Sequence, residues 1–143
     1  MAFTWSHSQE SADWDELSRL YLAASMGYKA PSDLQVAFSN SMFKCFVYDD
    51  GRLIAAGRAL ADGRDCSYIC DVAVHPEYQG RGLGREIVSK LVDFSKGHKK
   101  IILYAAVGKE PFYLKLGFKR MLTAMAIFKD PKQALENGVI GET

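Results

Sequence analysis

The sequence predicts an α/β protein, a mixed β-sheet with helices on both faces. Three observations carry that expectation. Two apolar runs joined by Asp49-Asp50-Gly51-Arg52 read as a β-hairpin. One strand–helix–strand unit spans the centre of the chain, and amphipathic helical segments lie before and after it. At 143 residues, 48% hydrophobic and 24% charged, the chain is read as one domain, residues 1–143, long enough to bury a core.

Each element has a local reason. Asp13 or Ser11 caps a first helix running to about Ser25, with Trp14, Leu17, Leu20 and Tyr21 on one face and Gly27 as its end. Pro31 opens a short second helix that buries Leu34 and Phe38. Residues 43–48 and 53–60 form the hairpin, and the turn Asp62-Gly63-Arg64-Asp65 leads into a strand over 67–74, stopped by Pro76. Leu83, Ile87, Val88, Leu91 and Phe94 repeat at helical spacing, and Gly97 ends that helix. Residues 100–106 are too apolar to have a solvent-facing side, so a central strand is expected. A short helix over 111–116 closes at Gly117. Phe118 onward and then 123–128 read as the last two strands, and 131–137 as a terminal helix.

Several function classes are disfavoured. A net charge of +1 argues against bulk electrostatic binding to nucleic acid or an anionic membrane. No apolar run reaches membrane-spanning length, and residues 1–10 lack a basic and an apolar signal region, so no secretion signal is expected. Cys45, Cys66 and Cys70 cannot all pair and read as buried, reduced thiols of a cytoplasmic protein. No His/Cys/Asp spacing suggests a metal site. His75 precedes a proline and reads as an exposed extended residue. His7 and His98 read as solvated, as does the basic cluster Lys96, Lys99 and Lys100.

The chemistry concentrates at Gln79-Gly80-Arg81-Gly82-Leu83-Gly84, between a strand and a helix. Three glycines in five residues leave successive backbone N–H groups unshielded where a helix presents its unsatisfied amides, which suits a pyrophosphate. Arg81 and Arg85 place two positive charges at the same helix start, where the macrodipole disfavours them; a bound polyphosphate would offset that penalty. The plain alternative is a tight strand-to-helix turn. A dinucleotide fingerprint would need glycine where Arg85 stands, and a P-loop would need a Gly-Lys-Ser/Thr that is absent. The hairpins before the loop also disfavour a Rossmann-type oxidoreductase.

Gln-x-x-Gly-x-Gly at Gln79, Gly82 and Gly84 resembles the acyl-CoA pyrophosphate loop of the GNAT superfamily of N-acetyltransferases. A second segment, Pro111-Phe112-Tyr113-Leu114-Lys115-Leu116-Gly117-Phe118, resembles that family's other signature, and the two are separated by the strand–helix–strand the family requires. The resemblance covers about residues 69–128. It implies a GNAT-like fold, acetyl-CoA as cosubstrate without a metal, and direct attack of a neutral amine on the thioester. It further implies that Tyr113 protonates the departing thiolate beside the pantetheine arm, which Phe112 would also flank. Read plainly, Tyr113 is an amphipathic helix residue with its hydroxyl at the surface, and Phe112, Leu116 and Phe118 are core contacts. A phenol stays protonated at neutral pH and can donate to a thiolate of similar basicity.

The resemblance also implies that the strand before the loop, here Val72-Ala73-Val74, supplies the oxyanion donor from its backbone, at Val72 or Val74. Asp71 is the only charged side chain within residues 68–74. Burial there would raise its pKa toward that of a general base, whereas its structural alternative is an ion pair, with Arg58 as a candidate. Alternation puts Tyr68, Cys70 and Val72 opposite Asp71 unless a bulge intervenes, which keeps Tyr68 or a water relay in play. The expected acceptor is a small-molecule primary amine. A protein N-terminus or lysine shares all the cofactor residues, and a non-catalytic acyl-CoA-binding module would keep the loop alone. The resemblance also allows a homodimer.

Overall fold

The computed structural model describes residues 2–143. The chain forms two compact units, one ending at Leu103 and the other spanning Tyr104–Thr143. In the first, the strands are β1 (Thr4–Ser6), β2 (Phe43–Asp49), β3 (Arg52–Ala61), β4 (Cys66–Val74) and β5 (Lys100–Ile102), and the helices are α1 (Trp14–Ala23), α2 (Pro31–Ser39) and α3 (Leu83–Phe94). The five strands lie in the order β1-β2-β3-β4-β5, antiparallel except for the parallel pair β4–β5. The expected mixed sheet is present, with β1 an addition that three residues of weak pattern did not announce.

Local chemistry sets most boundaries. The Asp13 carboxylate accepts from the Glu16 N–H and caps α1, and Pro31 occupies the first turn of α2. Asp50 and Gly51 both adopt positive φ, 48° and 83°, as a tight hairpin turn requires. The end of α1 differs from expectation. Ser25 already takes the left-handed conformation (φ 63°), two residues ahead of Gly27 (φ 83°), and the Met26 N–H bonds the Tyr21 carbonyl, so the helix closes before the glycine.

The helices pack on opposite faces of the sheet. Leu17, Leu20 and Tyr21 of α1 and Leu34 and Phe38 of α2 share one core cluster with Phe46, Leu53, Ala56 and Ala73. On the other face, Ile87, Val88 and Leu91 of α3 are buried. Gly57 is what lets α3 approach: a Cβ there would stand 2.8 Å from Ile87 Cγ2 and 3.2 Å from Val72 Cγ2. Against the edge between β4 and β5, a buried hydroxyl pair, Ser67 and Ser95 at 2.8 Å, ties strand to helix end.

The second unit carries α4 (Glu110–Lys115) and α5 (Pro131–Glu136), the latter capped by Asp130. Three strand expectations fail. The strand expected over residues 100–106 stops at Ile102 and is the last strand in the order of the first unit's sheet. The two strands expected from Phe118 onward and over 123–128 do not form: residues 119–127 are exposed, and their backbone groups have no ladder partner among the described residues. Apolar composition favours a strand only where a neighbouring strand takes up its hydrogen bonds.

Candidate active site

A bulge in β4 organises the first part of the site. Arg58 of β3 faces Cys70 and Ala56 faces Ala73, so Gly57 alone stands opposite Asp71 and Val72. The extra residue is Asp71, in a left-handed conformation (φ 56°) that a non-glycine residue holds only under strong local constraint. The bulge reverses the alternation. Before it, Ser67 faces α3; after it, Val72 and Val74 do, the latter lying 3.7 Å from a Cβ placed on Gly84. Asp71 consequently joins the side of β4 that Cys70 and Arg58 occupy.

There its carboxylate is engaged twice. Arg58 Nε donates to Oδ2 at 2.8 Å, and Lys29 Nζ stands 3.6 Å from Oδ1. Both Arg58 and Asp71 side chains are about 15% exposed. Arg58 also donates to the Ser41 hydroxyl (3.2 Å) and lies over the Phe38 ring. The ion-pair alternative weighed for Asp71 is thus realised, with Lys29 as a second cation that sequence spacing did not indicate. From beneath, the buried Tyr21 donates its hydroxyl to the Asp71 carbonyl at 2.7 Å. Burial, then the neighbouring Asp71 charge, push the Tyr21 phenol well above its usual range, so it remains a donor. Tyr21 reads in sequence as one more apolar residue of α1; nothing local marks its hydroxyl.

Past the bulge, the ladder leaves backbone donors free. The His75 N–H bonds the Ile54 carbonyl (2.8 Å), and Ala73 pairs with Ala56, so the Val74 N–H points away from β3. On that side β5 pairs only with Cys66, Ser67 and Tyr68. Val72 sits in the bulge itself. Gln79 Nε2 donates to the Val74 carbonyl (2.9 Å), so this side chain holds the loop onto the strand. His75 is a half-buried cap rather than a plain exposed residue: its Nδ1 accepts from the Glu77 N–H and caps the 3-10 turn Pro76–Tyr78.

The loop that follows leaves its backbone donors open. Gly80 and Gly82 have φ of 80° and 83°, and a Cβ at either would meet nothing within 4 Å, so open space faces the loop backbone. No side chain caps α3; its first backbone bond runs from the Glu86 N–H to the Gly82 carbonyl, which leaves the amides of Leu83, Gly84 and Arg85 without intrahelical partners. Arg81 lies over the Tyr78 ring at 5.0 Å, and Tyr78 is fixed by a short hydrogen bond to Asp49. Arg85 is exposed on the first turn. These residues fit a phosphate-bearing group: unpaired N–H donors, two guanidinium groups, and room for oxygen atoms.

In the second unit, α4 presents Tyr113 half-buried, its ring edge-on to Phe112 (5.0 Å) and Phe118 (5.9 Å). Burial raises its phenol pKa. Phe112 is exposed rather than a core contact, while Leu116 and Phe118 are partly buried. Gly117 closes the helix at φ 97°. Two other readings need correction. The side chain of His98 is 4% exposed, not solvated: it accepts from the Gly63 N–H (3.0 Å) and donates through Nδ1 to the Ser95 carbonyl, pinning the 62–65 turn. Of the three free cysteines, only Cys45 is fully buried; Cys66 and Cys70 are partly exposed.

The family model for the acetyltransferase (GNAT) family matches residues 5–118. The chain belongs to that family. It is an acyltransferase, and GNAT enzymes take the acyl group from acyl-CoA. Among relatives, an uncharacterized ycf52-like N-acetyltransferase of Prochlorococcus marinus is 32% identical over 123 residues, 81% of this chain and 68% of that protein. The glucosamine 6-phosphate N-acetyltransferase of Trypanosoma brucei brucei is 44% identical over 59 residues, 40% of each chain. A GNAT-family acetyltransferase of Streptococcus pneumoniae superposes with a TM-score of 0.75 at 21% identity, covering 90% of this chain and 99% of that one, a likeness of fold. Among the described residues, no helix of this GNAT chain is long and apolar enough to cross a membrane.

Proposed function

We propose that this GNAT enzyme transfers the acetyl group of acetyl-CoA to the primary amine of a small molecule. The observation that carries the reading is the uncapped start of α3, with Gly80 and Gly82 turned so that free amides and open space coincide. The amides of residues 83–85 and the guanidinium groups of Arg81 and Arg85 bind the pyrophosphate, and Gln79 keeps the loop closed on β4.

Bound acetyl-CoA supplies the activated acyl carbon. The amine nitrogen bonds to that carbon, its C–S bond breaks, the amine loses a proton and the sulfur gains one. The N–H of Val72 or Val74 stabilises the charge that develops on the carbonyl oxygen. Asp71 accepts the amine proton through water, because Arg58 and Lys29 already engage its oxygen atoms. Tyr113 donates the proton that the sulfur receives. Residues 1–143 act as one N-acetyltransferase domain. Its location is the cytoplasm, where three free thiols stay reduced. The glucosamine 6-phosphate N-acetyltransferase among the relatives supports a small-molecule acceptor.

A thiol-release assay with acetyl-CoA against small amines, amino sugars and peptides tests this reading. Release with small amines is the expected result. Release with peptides alone would assign a protein acceptor, and CoA binding without release from any amine would mark a binding module.

A further inference from the structure

Helix α1 and the hairpin end of β3 line a cavity of about 280 Å³ that the acetyl-transfer reading does not use. Its polar lining is Glu16, Arg19, Arg52 and His75, and its apolar lining includes the buried Leu20 and Leu53. All of these belong to the first unit. Gly57, which stands opposite Asp71, is four residues further along β3 than Leu53, about 13 Å in an extended strand. The cavity is a separate place from the catalytic bulge.

Its polar groups do not satisfy one another. His75 Nδ1 accepts from the Glu77 N–H at 3.2 Å, so the neutral ring carries its hydrogen on Nε2. That nitrogen stands 3.2 Å from Arg52 Nη2, a group that only donates. Two N–H groups thus face each other with no acceptor between them. Arg52 spends Nη1 on Glu77 (2.9 Å), while Arg19 has no hydrogen bond or ion pair among the described residues. Glu16 uses Oε2 to accept from the Leu53 N–H (2.9 Å), and its Oε1 accepts nothing among the described residues. Arg19 and Arg52 are balanced by Glu16 and Glu77, so the surroundings favour a molecule carrying both signs over a bare anion.

We propose that this cavity binds the zwitterion of a small aliphatic amino acid. One carboxylate oxygen accepts from Arg52 and His75 together, which removes their opposition, and the other accepts from Arg19. The ammonium donates to Glu16, and the side chain covers Leu20 and Leu53.

Calorimetry on the full chain tests the site, with L-valine, valinamide and isovalerate as probes and Arg19→Ala as the variant. Amide shifts of Leu53 and Glu77 in NMR spectra locate the binding. Arg19 is exposed and makes no described contact, so the fold survives its loss. L-valine should bind at millimolar concentration and move both amides. Valinamide lacks the carboxylate and isovalerate lacks the ammonium, so each should bind at least about 10-fold more weakly, as should L-valine to Arg19→Ala. Glu16→Gln should lose the preference for L-valine over isovalerate. L-valine that fails to bind, leaves both amides unmoved, or binds Arg19→Ala as tightly as the parent would overturn the proposal, as would an equal affinity for isovalerate. CoA does not enter the experiment, so its outcome is independent of the acetyl-transfer reading.

Discussion

The hydroxyl of Tyr21 and the main-chain carbonyl of Asp71 meet at 2.7 Å across fifty positions of sequence. The left-handed turn at Asp71 takes that carbonyl out of the ladder, and a buried carbonyl without a donor would be costly. Tyr21 is that donor. Helix α1 therefore holds the bulge, and the bulge sets where Val72 and the Asp71 carboxylate lie.

Tyr21→Phe should keep the ring in the core and orphan the carbonyl. Stability should fall by about 1–3 kcal/mol, the usual cost of an unsatisfied buried group. Turnover should fall about 10- to 100-fold through misplaced backbone donors, with CoA affinity unchanged. Urea unfolding and steady-state kinetics measure the two. A variant that loses stability but keeps full turnover would show that the bulge needs no support from this hydroxyl.

Asp71→Asn removes the charge and leaves the shape. The expected result is lower turnover with intact CoA affinity and a flattened acid limb of the pH–rate profile, compared near neutrality where amines do not shed protons freely. Arg58 and Lys29 lose their shared counter-ion, so some stability should go as well. Full activity with an unchanged acid limb would leave Asp71 a purely structural anchor.

Replacing Arg81 and Arg85 together by Ala, or Gly82 by a bulky residue, should weaken CoA binding by about 1–3 kcal/mol. Gly82 tests the backbone, since a side chain at φ 83° is strained even though space is open around it. Calorimetry giving the parent's affinity in both variants would move the pyrophosphate away from this loop.

Where a feature depends on neighbours in sequence, it was legible there. Asp13 as a cap, Asp50-Gly51 as a hairpin turn, Pro31 at a helix start and the glycine loop before α3 all carry their reasons within a few residues. The ion pair of Asp71 with Arg58 was one of two readings, and only register could decide it. Lys29, the Tyr21 hydroxyl and the buried ring of His98 act across long separations, with no local mark. The failed strands make the same point from the other side. Residues 123–128 have strand composition, but pairing is a property of whichever edge meets them.

Alkaline pH should destabilise the fold by a predictable route. Burial pushes the Cys45 thiol from 9.0 up to about 12. It pushes Cys70 up to about 11, opposed by the Arg58 charge. Both groups bind their protons more tightly folded than unfolded. Their contribution is therefore complete below pH 9.0 and is lost as pH rises through about 11 and 12. Urea midpoints should decline across that window, with the raised Tyr21 phenol steepening the decline. Cys45→Ala/Cys70→Ala should flatten the first part of the slope. An unchanged slope would show that the thiols do not drive it.

Tyr113 offers the sharpest test of the acetyl-transfer chemistry. Its ring is held edge-on between Phe112 and Phe118, and burial raises its pKa, so the phenol keeps its proton through neutral pH and can donate only to a strong base such as a departing thiolate. Tyr113→Phe removes the hydroxyl alone, and both ring contacts survive. Loss of a positioned general acid typically lowers the rate about 100- to 10,000-fold. The decrease should appear in turnover, with little change in the Michaelis constant for acetyl-CoA. It should shrink for a thioester whose leaving thiol is more acidic, because that thiolate departs with less help. A folded Tyr113→Phe enzyme as fast as the parent would remove Tyr113 from the mechanism and leave Tyr104 or water to donate the proton.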